Sequence, residues 1–173
     1  MDQNSDKITF REVQQFKSWW LWIVVLGITG WIWYSFVQQI IFGEKIGTNP
    51  APNWVMWIMA ILFGIGLPLL FLTMKLIVEV HEKEIFIRYV PFIRRDIHLS
   101  KIKDFKKRTY SPIMEYGGWG IRGLWLVNKS AYNVSGNQGV ELTLMDGKIV
   151  MIGSQRAQEL ETAIATAFNS IDD

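Results

Sequence analysis

The sequence predicts a membrane α-helical hairpin, two transmembrane helices, followed by a mainly-β domain of about seven strands that ends in a C-terminal α-helix. Three observations predict it. No charged residue lies between Lys17 and Glu44, and none between Lys45 and Lys75. Residues 75–173 carry 14 Lys/Arg and 12 Asp/Glu, the usual charge density of a water-exposed domain. In that polar part, apolar residues alternate with a period of two as far as Gly153 and recur every three or four residues beyond it.

Composition narrows the field. The chain has 173 residues, 50% of them hydrophobic, with nine Trp and no Cys. That hydrophobic content excludes a disordered chain. The absence of Cys excludes a disulfide framework, thiolate metal sites and thiol nucleophiles. A formal net charge of +2 gives no global pull toward nucleic acid.

In chain order, residues 1–18 form a cytoplasmic N-terminal segment. Phe10, Val13 and Phe16 recur every three residues in ITFREVQQF, which predicts a short amphipathic helix on the inner leaflet. The apolar run Trp19–Ile41 follows. As a helix it measures roughly 34 Å, against a hydrocarbon core of about 30 Å. Residues 42–53 hold Gly43, Gly47, Asn49, Pro50 and Pro52 and predict an external turn-rich loop. The second run, Trp54–Met74, also reaches spanning length. The first run is too long for a signal peptide, no A-x-A site follows it, and a second span comes soon after.

Trp19, Trp20, Trp22, Trp54 and Trp57 lie near span ends, where aromatic belts form. Trp31 and Trp33 sit deeper and either pack on the second helix or face a partner. Ala60 and Gly64 make a small-xxx-small pair, read either as close packing of the hairpin or as a docking face for another membrane protein. Gly64, Gly66 and Pro68 predict a kink. Lys7, Arg11 and Lys17 precede the first span, and Lys75, Lys83, Arg88, Arg94 and Arg95 follow the second, whereas the loop has Lys45 alone. The positive-inside rule then puts both termini in the cytoplasm. No charged residue inside either span marks a proton or ion path.

In residues 75–173, Leu76, Val78 and Val80 predict one strand, and Ile85, Ile87 and Tyr89 the next. Ile93, Ile97 and Leu99 predict a third, with Arg95 breaking the apolar face. Residues 101–110 read as a turn leading into an edge strand, and Leu124–Val127 as a short apolar strand. Val140, Leu142 and Leu144, then Asp146-Gly147, then Lys148–Ile152, spell a hairpin. Ser154 predicts a helix cap, and Leu160, Ile164, Ala167 and Phe168 the apolar face of a helix that plugs the open sheet.

The segments FREVQQF, YSPIMEYGGWGIRG at 110–123, AYNVSGNQGVEL at 131–142 and IGSQRAQEL at 152–160 carry a resemblance. The chain resembles an uncharacterised family of small prokaryotic two-span membrane proteins with a bacterial PH-like cytoplasmic domain. The order of elements is also similar, in architecture alone, to a photosystem assembly factor with two spans and a PH-like tail. The resemblance implies a PH-like domain over residues 75–173, and brings no catalytic residues with it.

Other constellations are weighed against it. Gly118–Gly123 satisfies G-x-G-x-x-G, but its surroundings are β rather than βαβ, so a glycine-rich loop is expected instead of a nucleotide site. Tyr110, Tyr116, Trp119 and Trp125 flank it and either pack the loop on the sheet or, with Arg122, hold a partner. The basic run Arg94, Arg95, Lys101, Lys103, Lys106, Lys107 and Arg108 is the candidate lipid-surface contact. It lacks the interleaved aromatics of a nucleic-acid module. His81 and His98 match no metal-ligand spacing. Asn128-Lys129-Ser130 and Asn133-Val134-Ser135 fit the glycosylation pattern, but lie on the predicted cytoplasmic side. No nucleophile elbow frames a Ser. The expectation is a non-enzymatic scaffold at the inner membrane without cofactor or metal. Its partners are a protein or a second copy of itself; the alternative is an anionic-phospholipid or membrane-sensing module.

Overall fold

The computed structural model describes residues 8–44, 46–47, 49–123 and 128–170. The predicted strand Leu124–Val127, with Trp125, lies outside them. The chain divides into two compact units: Phe16–Met74, and a second that joins the residues before Phe16 to those from Lys75 onward.

The first unit is a helical hairpin. Its helices, Trp19–Ile41 and Asn53–Thr73, are each long and apolar enough to cross a membrane. Phe36, Met56 and Ala60 form the buried seam, with Ile32, Ile40 and Ala51 against it. The Phe36 ring meets Trp57 edge-on at 4.7 Å. Farther along, Pro68 supplies no N–H, so it cannot satisfy the Gly64 carbonyl as residue i+4 of a regular helix does. The helix is π-helical over Ala60–Gly66 there, and the Trp33 indole Nε1 donates to the Gly64 oxygen at 3.1 Å. A Cβ on Gly64 would stand 2.9 Å from that nitrogen, so the position admits no side chain without a shift. At the connector, Gln39 Nε2 donates to the Ala51 carbonyl at 2.6 Å.

The second unit holds two sheets and a helix. One sheet has the order β1-β2-β3-β4: Phe10–Gln15, Lys75–Val80, Glu84–Val90 and Ile93–His98, antiparallel throughout. The other has the order β5-β8-β9-β7-β6: Ile102–Thr109, Gln138–Leu144, Ile149–Gly153, Lys129–Asn133 and Gly120–Arg122. In it β7 runs parallel to β9 and the other pairs are antiparallel.

Two expectations change here. Residues 10–15 are not an amphipathic helix but strand β1, paired with β2 from Phe10↔Val80 to Gln15↔Lys75. Phe10, Glu12 and Gln14 face inward and are buried, while Val13 is exposed. The edge of β2 offers unpaired backbone groups that β1 satisfies, and this tertiary pairing overrides the local spacing. The helical hairpin is therefore an insertion between two adjacent strands of one sheet. The strand count also rises: eight described strands follow Lys75, where about seven were expected.

Leu76, Val78, Val80, Ile85, Ile87 and Tyr89 on the first sheet, with Val140, Leu142, Val150 and Ile152 on the second, are nearly inaccessible. The C-terminal helix, Ala157–Asn169, buries Leu160, Ile164 and Ala167 and packs on β1 and β2 of one sheet and β5 and β8 of the other. It covers that side of the core, as a plug should. Ser154 does not cap it directly. Its hydroxyl accepts from the Arg156 N–H at 2.9 Å and donates to Glu12 Oε2 at 2.5 Å, one turn ahead of the helix. Glu12 Oε1 also accepts from the Gln155 N–H, and Gln14 Nε2 donates to the Gly153 carbonyl. Polar side chains of β1 thus tie the first sheet to the turn that starts the helix.

Candidate functional site

Opposite the helix, where β4 approaches β7, the two sheets leave a cavity of about 390 Å³. Its chemistry starts with Arg95. Period-two alternation places Arg95 on the inward face, across from Ile87 in the row Glu12–Val78–Ile87–Arg95. A guanidinium on a core face needs acceptors. Arg95 Nη1 donates to Ser130 Oγ at 2.9 Å and to the Tyr132 hydroxyl at 3.1 Å, and its guanidinium lies 5.8 Å from the Tyr132 ring. Both hydroxyl residues are buried. Each hydroxyl accepts from Arg95, so each keeps its own proton to donate.

Lys129 and Lys148 also line the cavity. The Lys148 ammonium lies 2.7 Å from Asp146, and this ion pair holds the Asp146 carboxyl below the usual carboxylate range. Arg94 pairs with Asp96 at 3.3 Å and stacks 5.5 Å from the Phe86 ring. Among the described residues, neither Arg95 nor Lys129 has a carboxylate partner, and no Asp or Glu lines the cavity. The arrangement offers cations and hydroxyl donors, which suits an oxyanion.

The seven basic residues of the run 94–108 do not share one face. Arg94 and Arg95 lie on opposite faces of β4. Lys101 closes a 3₁₀ turn and Lys103 is exposed at a bulge in β5. Lys106 and Arg108 both reach Glu141, at 3.6 and 2.5 Å, and Arg108 also pairs with Glu115. Lys107, on the other face, donates from Nζ to Gln158 at 2.5 Å. Much of that charge is therefore already engaged within the domain.

The glycine-rich segment is a built loop. Ser111 caps the short helix Pro112–Tyr116, and Gly117 ends it in the left-handed conformation. Tyr116 packs edge-on against Tyr110 at 5.8 Å, and burial pushes its hydroxyl up to about 12. Trp119 Nε1 donates to the Gly136 carbonyl at 3.0 Å, and Arg122 Nε donates back to the Trp119 carbonyl. Gly120–Arg122 is β6, not a phosphate-cradling turn. Asn133, inside one glycosylation pattern, is fully buried: it donates to the Tyr110 hydroxyl and accepts from the Gly120 N–H. His81 packs on Phe86 at 4.6 Å, and His98 lies across from Glu84 at 3.7 Å. Ala60 and Gly64 both sit at the hairpin seam.

Of the cavity residues, Arg95 was visible in the sequence as a break in an apolar face. Lys129, Ser130, Tyr132 and Lys148 carried no local signal, because β7 and the β8–β9 turn meet β4 only in the folded sandwich.

These features define a class: a mainly-β two-sheet domain with a C-terminal helix, into whose first sheet a long apolar helical hairpin is inserted. The chain belongs to a family of unknown function, DUF6141, which matches residues 1–171. No curated protein and no solved structure matches the chain.

Proposed function

We propose that the chain is an integral protein of the cytoplasmic membrane, both termini inside, which presents a PH-like sandwich at the inner leaflet as a non-enzymatic interaction module. The observation that carries this reading is the surface of the hairpin. Trp19, Ile23, Leu26 and Trp31 on one helix, and Trp54, Ile61, Leu69 and Leu72 on the other, are all more than half exposed. Only 17% of each apolar window is buried. A core helix of a water-soluble protein hides such residues; a bilayer solvates them. The basic residues on both flanks support the orientation. Two packed sheets with a C-terminal helix support the PH-like reading. In this chain the sandwich adds β1 ahead of the hairpin and a parallel β7–β9 pair.

The interaction role draws on the helix Pro112–Tyr116. Ile113 and Met114 are 60% and 86% exposed, on a backbone fixed at both ends by Ser111 and Gly117. A rigid apolar knob of this kind suits a protein partner or a second copy. The test is gentle extraction from native membranes, followed by the mass and composition of the particle. The reading expects a defined second protein or a defined oligomer, lost in a Met114→Glu variant. A lone monomer from native membranes would overturn the scaffold role. The basic cavity favours the second reading, an anionic-lipid module.

A further inference from the structure

We propose that the cavity between β4 and β7 binds the phosphate of an anionic phospholipid headgroup, with Arg95 as its half-buried cation and Lys129 and Lys148 as its exposed ones. The inference rests on the membrane reading above and assigns it a ligand and a site.

The inventory of groups comes first. Arg95 brings a planar fork of donors, and Ser130 and Tyr132 each retain a hydroxyl proton. Two ammonium groups line the same cavity, and among the described residues no carboxylate does. Asp96 and Asp146, the nearest acids in sequence, are taken by Arg94 and Lys148. A half-buried guanidinium whose described partners are two neutral hydroxyls leaves its charge uncompensated, and an anion corrects that. Phosphate oxygens match both the fork and the ammonium groups. A cavity of about 390 Å³ accepts a phosphate with a small polar substituent.

Place decides between a lipid and a free phosphate. The ladder rows put Gln15, Lys75 and Val90 side by side at one end of the first sheet. Gln15 and Lys75 are where the chain leaves this unit for the apolar helices. The helices start at Trp19 and end at Thr73, so the connecting chain reaches at most about 14 Å and about 7 Å. The turn after Val90 belongs to the same end and carries Phe92, an aromatic ring 54% exposed. Arg95 lies three rows along from that end, about 10 Å. Links this short limit how far that end of the sheet can stand from a bilayer that the apolar helices cross, and Phe92 is the kind of side chain that enters the interface.

The test uses the full chain purified in mild detergent, titrated with phosphatidylglycerol, phosphatidylcholine and inorganic phosphate. Bound lipid is counted by native mass spectrometry. Each cation facing an anionic headgroup is worth roughly a factor of five. Lys129 has no carboxylate partner among the described residues and Lys148 shares its charge with Asp146, so the double variant Lys129→Gln, Lys148→Gln should weaken phosphatidylglycerol binding by at least about fivefold. A control with the same charge change elsewhere, Lys83→Gln with Lys103→Gln, should change it less than about twofold. Both pairs of lysines are exposed, and equal unfolding temperatures confirm that both variants fold. Unchanged phosphatidylglycerol affinity in the cavity variant overturns the proposal. So does inorganic phosphate displacing the lipid at equal concentration, which marks a free-phosphate site. Failure of the membrane reading shows separately, as a chain released from membrane pellets by alkaline carbonate.

Discussion

Replacing Trp33 by Phe removes one N–H from the hairpin and keeps an aromatic ring. The lost bond is the 3.1 Å contact from indole Nε1 to the Gly64 carbonyl. That carbonyl stands four residues before Pro68, which has no N–H to offer. Hydrogen bonds between membrane helices are worth about 0.6 kcal/mol on average and up to about 2 kcal/mol. The expected loss is therefore about 0.6–1.5 kcal/mol. Pro68→Ala restores a backbone donor at the i+4 position. In that background Trp33→Phe should cost less, and a double-mutant cycle should return a coupling of about 0.5–1 kcal/mol. The assay is reversible unfolding of the full chain in mixed micelles at increasing SDS fraction, followed by helicity. Equal losses in the two backgrounds would refute the idea that the indole compensates for the proline.

Three further outcomes are expected. Glu12→Ala strips acceptors from the Ser154 hydroxyl and the Gln155 N–H, both near the start of the C-terminal helix, and should cost about 2–4 kcal/mol in thermal unfolding; an unchanged melting temperature would show that β1 does not hold the sandwich together. Gly139→Ala places a Cβ 2.3 Å from the Ile152 carbonyl oxygen inside the β8–β9 ladder, and should destabilise by about 1–3 kcal/mol, read as a lower denaturant midpoint. The Ser111 N–H and then the Arg108 guanidinium hold the Glu115 carboxyl below its ordinary range. Its folded value is the lower one, so its contribution is complete above the unfolded value of about 4.3 and fades as pH falls through the folded value. The protection factor of the Ser111 amide, its exchange rate divided into the intrinsic rate at each pH, should fall across that acid window in the parent and stay flat in Glu115→Gln.

The hairpin was legible because two charge-free runs of spanning length admit few alternatives, and the second helix begins at Asn53, one residue before the apolar run itself. β1 was not. Phe10, Val13 and Phe16 happen to fall three apart, yet Phe16 lies beyond the strand and Val13 faces outward. The partner of β1 is β2, on the far side of the inserted hairpin, so no local pattern announces the pairing. Glu12 and Gln14 also read as surface residues, although both are buried by specific hydrogen bonds. The short helix Pro112–Tyr116 did leave a signature: Ser111 before Pro112 at its start and Gly117 after its end. The basic run misled in a different way. Proximity along a strand does not mean a shared face, because alternate residues point apart and a bulge interrupts β5 at Ile102/Asp104. Arg95 alone signalled the cavity, as a cation where the alternation called for an apolar residue.

The central claim is a two-span chain with its sandwich inside the cell, and the absence of cysteine makes it directly measurable. Single cysteines at Asn49 in the connector and at Ser100, exposed in the sandwich, supply the probes. A membrane-impermeant maleimide is added to intact cells and to permeabilised cells. The account predicts that Asn49→Cys reacts in intact cells, whereas Ser100→Cys reacts only after permeabilisation. Protection of both sites until permeabilisation, or labelling of Ser100→Cys in intact cells, would contradict it.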